Sequence, residues 1–271
     1  MFNRPEGPVE LTDALKLNIQ LSAREFAKQT RDRLGISIHE PLDIIHTLER
    51  EGILVFQIKN LGTAGFVRIF SQKKAIFVNA SESLGRQLYT MAHEYCHLLR
   101  DLETVKKWKE IPEEEKAHQM KVLEYFAFKF ADYFLMPEEA VAKYMLDYNI
   151  ADFSRVTISD IIRIQHHFQL SFRQTIRMLN KFMILSDKQH ESFKEYSTKD
   201  DPERLIKVTR EAGYPIQLIS PLPTSRIPAK FMQALTDNIR HHRLTRKKVK
   251  HLEGLLGLSL EIPEDGSGYL E

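Results

Sequence analysis

Residues 87–103 read QLYTMAHEYCHLLRDLE, and within this stretch His93, Glu94 and His97 form an H-E-x-x-H pattern. Apolar residues recur here at helical spacing, which predicts an amphipathic helix with one buried side. Residues four apart lie one turn apart on the same side of a helix, so both histidines can bind one metal ion. Glu94 is rotated toward the space beside that ion, where a carboxylate can act as the base of a zinc peptidase.

The same pattern also fits an ordinary surface helix that carries two histidines beside a carboxylate. The buried stripe argues against that alternative, because the histidine pair lies next to the stripe, where an unpaired imidazole is costly. The chain's only cysteine, Cys96, lies inside the pattern. Its helical angle directs it away from the histidines, so we interpret Cys96 as a packing residue and not as a ligand.

The composition is that of a soluble globular protein. The 271 residues allow one large domain or two modest ones, and 42% of them are hydrophobic and 28% charged, enough for a substantial core. A net charge of +2 is too small to indicate a nucleic-acid partner by itself. One cysteine excludes an internal disulfide framework and is typical of a reducing compartment.

Targeting signals are not evident in the sequence. The N-terminus lacks the apolar core and cleavage site of a signal peptide. No apolar run approaches the roughly 18 residues that a transmembrane helix needs. We therefore expect a cytoplasmic protein without membrane contact.

The periodicity predicts an α+β fold in which helices dominate. The helix predicted around His93 and His97 is called the metal helix below. Three short segments rich in β-branched and aromatic residues precede it and predict a small three-stranded antiparallel sheet: 53–58, 65–70 and 74–79. Helices are predicted at 10–34, 41–51, 118–135 and 138–148. Residues 156–182 predict a helix-turn-helix-like pair with capping Ser or Thr residues.

The character of the sequence changes at about residue 186, where a polar, linker-like stretch begins. We predict a zincin-like metallopeptidase domain at 1–185 and a helical and irregular region at 186–271 that is regulatory or binds a partner. Four prolines make 213–228 mostly non-helical. Two further helices are predicted at 230–240 and 245–254.

A catalytic zinc site needs a third protein ligand and an open position for water. A metzincin would have Gly at position 100 and His at position 103, but the residues are Arg100 and Glu103. A gluzincin-like site takes a glutamate from a separate downstream helix. The predicted helix 118–135 offers Glu124 for this role, on the same side as the small residues Ala127 and Ala131.

Several motifs together resemble the ImmA/IrrE family of metallopeptidases. HEYCH is followed, 27 residues after its second histidine, by the pattern E-x-x-A-x-x-F-A and then by Leu-Met-Pro. IFVNASES, just before the metal helix, and TISDIIRIQHHFQLSFRQTIRML, at 157–179, fit the same pattern. The resemblance covers roughly residues 40 to 183.

The resemblance implies a zinc-dependent endopeptidase, encoded with a mobile element or stress system, that cleaves a helix-turn-helix transcriptional repressor. Position by position, it implies Zn²⁺ ligands at His93, His97 and Glu124 and a catalytic base at Glu94. The family pattern usually has Asn or Asp four residues after the third ligand, and here Phe128 stands there.

The residues that support the site are less well defined by sequence. Asp132, one turn beyond Phe128, is a candidate to support a metal ligand in its place. The candidates for stabilising the oxyanion are Tyr95, Tyr125, Tyr133 and His118. The predicted strand 74–79 leads into the metal helix and could pair with an extended substrate, unless the rest of the fold covers it.

The alternative function is a regulatory protein- or DNA-binding protein whose metal site is structural or vestigial. The pair at 156–182 could bind DNA, with Arg163, Arg173 and Arg177 contacting phosphates. Its apolar residues occupy several faces, however, which favours packing against the peptidase core. The basic stretch HHRLTRKKVKH at 241–251 is the better electrostatic candidate for a weak nucleic-acid contact.

Overall fold

A computed structural model of the chain describes residues 10–70, 73–102, 104, 112–197, 201–257, 259 and 260. The helices are α1 Asp13–Arg33, α2 Ile44–Arg50, α3 Leu84–Arg100, α4 Glu113–Leu135, α5 Glu138–Asp147, α6 Ile158–Phe168, α7 Phe172–Lys181, α8 Asp187–Lys194, α9 Pro202–Glu211, α10 Ala229–Arg240 and α11 Arg246–Leu256. The strands are β1 Leu54–Ile58, β2 Gly65–Phe70 and β3 Lys73–Asn79. No helix within these residues is long and apolar enough to span a lipid bilayer.

The fold is α+β, as the sequence predicts, but the sheet is mixed. Its strand order is β1-β3-β2, with β1 parallel to β3 and β2 antiparallel to β3. The prediction of an antiparallel sheet was therefore wrong in one detail, since β1 runs parallel to β3. The exposure of the strands explains the order: β1 is almost entirely buried, whereas the second half of β2 is exposed and belongs at an edge.

Strand β3 is the central strand, since it pairs with a neighbour on each side. Of the two alternatives for residues 74–79, a free strand or a covered one, the structure therefore has the covered strand. An extended substrate cannot add to β3, because the backbone groups of this strand already bond to β1 and β2.

Helix α3 packs on one face of the sheet and lies in the larger of two hydrophobic clusters. That cluster joins the helix to α1, α4 and α6 through fully buried side chains such as Ala23, Ile76, Met91, Phe130 and Ile161. The metal helix is thus held on its apolar side by the core and presents its other side outward.

The other face of the sheet is covered by α10 and α11. A second cluster joins the strand residues Phe56, Ile58 and Ala75 to four residues of the C-terminal helices: Leu235, Ile239, Val249 and Leu256. The region 186–271 therefore supplies a layer of the structure that contains the sheet. The proposed boundary near residue 185 stays a prediction.

The proline-containing segment before α10 lies along the outer edge of β1. Gln57 and Arg226 exchange backbone hydrogen bonds of 2.9 and 2.8 Å. Ser220 accepts a hydrogen bond of 2.9 Å from the backbone N–H of Leu84, at the start of α3. This segment covers the β1 edge, so β2 is the strand that has one side unpaired within the described part of the chain.

The helix-turn-helix-like pair is α6 and α7, and its turn packs against the start of α3. A capping box of Thr157 and Asp160 begins α6, and Ser171 caps α7. A Cβ atom added to Gly85 would lie 2.6 Å from the backbone N of Ser171 and 2.7 Å from the carbonyl of Leu170. Only glycine at position 85 allows this backbone approach.

Candidate metal centre

The three predicted metal ligands come from two neighbouring helices. His93 and His97 lie one turn apart on α3, with side chains that are 17% and 15% exposed. Glu124 lies on α4 and is 56% exposed. The small buried residue Ala127 follows it by one turn. A small residue at this position lets two helices approach closely enough for a short carboxylate to reach the histidines.

The potential ligand atoms have the separations expected around one tetrahedral ion. The Nε2 atoms of His93 and His97 are 3.1 Å apart. Glu124 Oε2 lies 3.2 Å from His93 Nε2, and Glu124 Oε1 lies 3.5 Å from His97 Nε2. Zinc bonds of about 2.0–2.1 Å to N and O place tetrahedral ligands roughly 3.3–3.4 Å apart. The three side chains therefore fit a zinc ion.

Asp101 holds the ring of His97 in the orientation that metal binding needs. Its Oδ2 atom lies 2.7 Å from His97 Nδ1, and Asp101 is only 2% exposed. A carboxylate accepts a hydrogen bond from Nδ1–H and so leaves Nε2 to face the cluster. The predicted site did not include Asp101. The available signal was its spacing, since Asp101 is four residues after His97 and caps the C-terminus of α3.

Electrostatics in this cluster favour a cation between the three side chains. Burial alone lowers the pKa of His97, but hydrogen bonds to Asp101 and Glu124 outweigh it and raise this pKa to about 10. Burial alone raises the pKa of Glu124, but hydrogen bonds from His93 and His97 hold it well below its usual range. Both shifts describe a carboxylate that stabilises positive charge, which a divalent metal would supply more strongly.

Glu94 lies beside this cluster, between α3 and the sheet. It is 9% exposed, and burial raises its pKa against the opposing effect of the two histidines. A Cβ atom on Gly65 would lie 2.5 Å from Thr90 Cγ2 and 3.3 Å from Glu94 Cγ. Gly65 therefore allows β2 to begin directly against the predicted catalytic base. No pattern in the sequence distinguishes this glycine from one in an ordinary turn.

Tyr95 and Tyr133, two of the candidates for stabilising the oxyanion, have partners elsewhere. Tyr95 lies on the core side of α3, where its hydroxyl donates to Glu51 at 3.1 Å and accepts from Arg33 at 2.8 Å. Tyr133 is buried, with the Lys181 ammonium 4.0 Å from its ring centroid.

The other two candidates are on α4. Tyr125 packs beside the ammonium of Lys129, which is 5.0 Å from its ring. His118 lies six residues before Glu124. The oxyanion role of both stays a prediction.

Asp132, the candidate for supporting a metal ligand, joins a different network. Its carboxylate accepts hydrogen bonds from both terminal nitrogens of Arg177 on α7 and one of 3.0 Å from the Tyr89 hydroxyl. Tyr89 also donates to the carbonyl of Phe128, and its ring meets that of Phe128 at 5.6 Å. Asp132 therefore joins α4 to α3 and α7, and among the described residues Asp101 is the carboxylate that supports a ligand.

The arginines of the helix-turn-helix-like pair already have partners within the chain. Arg173 donates to the carbonyl of Ser197 at 2.8 Å, Arg177 binds Asp132, and Arg163 lies 3.7 Å from Asp160. These contacts favour packing of α6 and α7 against the rest of the core over phosphate binding.

Comparison with known proteins adds a family to this geometry. Residues 48–180, from the end of α2 into the last turn of α7, match the family model described as peptidase M78, IrrE N-terminal-like domain. No curated protein matches the chain. The matched region includes the HEYCH motif and Glu124, and the match confirms the resemblance to ImmA/IrrE. Residues 48–180 of the chain therefore match the IrrE N-terminal-like domain of the M78 peptidase family.

Proposed function

We propose that this protein is a zinc-dependent endopeptidase that cleaves a helix-turn-helix transcriptional repressor in the cytoplasm. The observation that carries the proposal is the tetrahedral spacing of the ligand atoms of His93, His97 and Glu124, with the buried carboxylate of Glu94 beside them. The match of residues 48–180 to the M78 family model supports peptidase chemistry. The resemblance to ImmA/IrrE supports a repressor as the substrate.

The side chains have distinct roles in the proposed reaction. Bound zinc would supply Lewis acidity, polarising the scissile carbonyl and lowering the pKa of its water to about 7. Glu94 takes the proton of that water and later delivers it to the leaving amine. Burial raises the pKa of Glu94, which brings a carboxylate closer to the pH at which it must exchange a proton. Asp101 keeps the ligating nitrogen of His97 directed at the ion.

The edge strand β2 is the proposed binding surface for an extended substrate segment. Within the described residues, β2 pairs with β3 on one side only, and it begins at Gly65 beside Glu94. Ile69 and Phe70 on this strand are 46% and 45% exposed, which is unusual for large apolar residues at a sheet edge. A peptide added along β2 would pass the catalytic base while its side chains contact the apolar surface.

The direct test compares the wild-type protein with Glu94→Gln, using a repressor encoded beside this protein as substrate. We expect both proteins to bind one zinc ion, and the variant to cleave about a hundredfold or more slowly, because a general base contributes at least that much. Zinc content and cleavage are measured on the same samples. The enzymatic proposal would be contradicted if Glu94→Gln cleaved the repressor as fast as the wild type. It would also be contradicted if the zinc-loaded wild type cleaved no repressor encoded beside it.

The third ligand is tested by zinc content alone. Glu124→Ala should lower zinc affinity strongly, whereas Glu114→Ala, an exposed carboxylate in the first turn of the same helix, should not. Equal zinc affinity of the two variants would remove Glu124 from the ligand set.

The second candidate function is binding to nucleic acid through the basic stretch 241–251. Seven of its basic side chains are exposed on α11 and the preceding turn: His241, Arg243, Arg246, Lys247, Lys248, Lys250 and His251. Binding should weaken steeply with salt and when Arg246, Lys247 and Lys248 are changed together. No retention of DNA at low salt would dismiss this role. A metal site that is structural or vestigial would instead raise stability on zinc addition without any cleavage.

A further inference from the structure

A group of cations lies between α4 and α7, next to the metal centre. Arg177 and Lys181 come from α7, and Lys129 comes from α4. The side chain of Asp132 is fully buried: Arg177 forms a bidentate ion pair with it, and Lys181 Nζ lies 3.7 Å from its Oδ2. Two cations thus share one carboxylate, and Lys129, three residues before Asp132 on α4, adds a third positive charge nearby.

This excess charge is only partly relieved by the surroundings. The Nζ atom of Lys181 is buried and, among the described residues, forms no hydrogen bond, because Asp132 is slightly too distant for one at 3.7 Å. It lies against the ring of Tyr133, at 4.0 Å, and the Lys129 ammonium lies 5.3 Å from the ring centroid of Phe128. Aromatic faces stabilise cations less well than a carboxylate does. Uncompensated positive charge in a partly desolvated site therefore favours binding of an anion.

The cations lie near the metal ligands along both helices that carry those ligands. Phe128 follows Glu124 by one turn of α4, or about 6 Å along the helix. The guanidinium carbon of Arg177 lies 4.7 Å above the Phe128 ring. On α3, Tyr89 precedes His93 by one turn and donates to Asp132. The positive group is therefore roughly one helical turn from the proposed zinc ligands on both helices.

We propose that Arg177 and Lys129, with the buried charge of Lys181 behind them, form a subsite that binds a carboxylate of the peptide substrate. The Arg177 side chain is 31% exposed. A guanidinium has five N–H donors, of which Asp132 accepts two, so a second carboxylate can be bound in the same plane. The carboxylate comes from an acidic side chain or from the C-terminus of the substrate. This inference rests on the proposed peptidase function.

The first experiment determines whether the protein prefers peptides with a carboxylate, and whether that carboxylate is a side chain or the C-terminus. A random peptide library is digested with zinc-loaded protein, and the cleavage positions are read by mass spectrometry. The best peptide is then remade in matched forms, Glu against Gln at the preferred position, and free acid against amide at the C-terminus. We expect kcat/KM about tenfold higher for the carboxylate member of one pair, the scale of one partly exposed charge contact. The pair that differs identifies the source of the carboxylate.

The second experiment reverses the charge of the subsite. Lys129→Glu should abolish or invert the preference between the matched peptides, while Lys188→Glu, an exposed lysine on α8, should keep it. Zinc content and the urea midpoint of each variant check that the fold is retained. If Lys129 acts only on stability, Lys129→Glu will change the urea midpoint and leave the ratio of kcat/KM between the matched peptides unchanged. That result would overturn the proposal.

A binding measurement separates the subsite from the catalytic claim. Glu94→Gln is titrated with the matched Glu and Gln peptides, or, if nothing is cleaved, with poly-Ala nonapeptides that carry one Glu or one Gln. Tighter binding of the Glu peptide to Glu94→Gln supports the subsite even without turnover, provided that the difference disappears in the double variant that also carries Lys129→Glu. Equal binding and equal cleavage of all matched pairs refute the subsite and leave the peptidase standing. Absence of cleavage with a retained Glu preference refutes the peptidase function instead.

Discussion

Asp101 illustrates how one buried residue next to a metal ligand can decide the properties of the site. Its carboxylate accepts from His97 Nδ1 and also binds Arg100 Nη1 at 2.8 Å, so both of its oxygens are engaged. A rigid carboxylate of this kind orients the imidazole and increases its basicity as a ligand. The contact joins the last turn of α3 to its C-cap residue, so it depends only on how this end of the helix forms.

Asp101→Asn tests this role directly. We expect zinc affinity to fall roughly 10- to 100-fold, because an amide orients the imidazole less firmly and does not raise its basicity. The measurement is a zinc titration in competition with a chromophoric chelator. Asp147→Asn, an exposed carboxylate on α5, is the control. An unchanged dissociation constant in Asp101→Asn would show that His97 needs no such partner.

Gly65 matters because it has no Cβ atom, which leaves room for its neighbours. An added Cβ would meet Thr90 Cγ2 at 2.5 Å and the carbonyl oxygen of Phe77 at 2.9 Å. Gly65→Ala should therefore lower the free energy of unfolding by about 1–3 kcal/mol and slow cleavage, as β2 moves away from Glu94.

The control for this substitution is Gly62→Ala, since a Cβ at Gly62 would have no neighbour within 4 Å. Urea unfolding and peptide cleavage are measured for both variants. If the two variants behave alike, the close approach of β2 to the catalytic base has no energetic consequence.

Among the secondary-structure elements, the helix-turn-helix-like pair contacts both helices that carry the proposed metal ligands. The turn between α6 and α7 contacts the backbone of α3 at Gly85, and the Arg177–Asp132 ion pair joins α7 to α4. The hydrophobic pattern predicts both helices correctly because it depends on local periodicity. The pattern does not reveal which surface the pair contacts, since that depends on residues distant in sequence.

Gly85→Ala tests the contact between the turn and α3. Alanine in a helix normally stabilises it by up to about 1 kcal/mol relative to glycine. At position 85 we expect the reverse, a loss of about 2 kcal/mol in the free energy of unfolding, because the new methyl group meets backbone atoms of Leu170 and Ser171.

Gly254→Ala in α11 is the matched control, since its Cβ would have no neighbour within 4 Å. It should be neutral or stabilising. Chemical denaturation of both variants provides the comparison. A stabilised Gly85→Ala protein would contradict the observed contact.

At the level of the whole molecule, the sheet lies between the metal helix on one face and the C-terminal helices on the other. The buried side chains of Phe56 and Ile58 point away from the larger core and pack against Leu235 and Ile239. The region 186–271 thus covers a surface that a shorter protein would expose to water.

Truncation after residue 185 examines the domain boundary that the composition suggests. We expect residues 1–185 alone to aggregate or to bind hydrophobic dyes strongly, because the apolar face of the sheet becomes exposed. Size-exclusion chromatography and thermal unfolding are compared with the full chain. A monomeric fragment with an unchanged melting temperature would instead establish two independent domains.

The sequence by itself determined the features that depend on local spacing. His93, Glu94 and His97 share one helix because the apolar residues around them repeat with the helical period, and Glu124 lies on a second helix for the same reason. Those patterns, with the family resemblance, were sufficient to predict the α+β class and to propose the ligands and the base.

The tertiary structure decided everything that depends on which distant segments meet. It placed β3 between β1 and β2, made β2 the edge strand beside Glu94, and drew Asp132 to Arg177 on α7. Periodicity specifies which side of an element is buried but not what it is buried against. The partner of each buried side follows from packing the whole chain, because apolar faces gain by being covered and buried polar groups need partners.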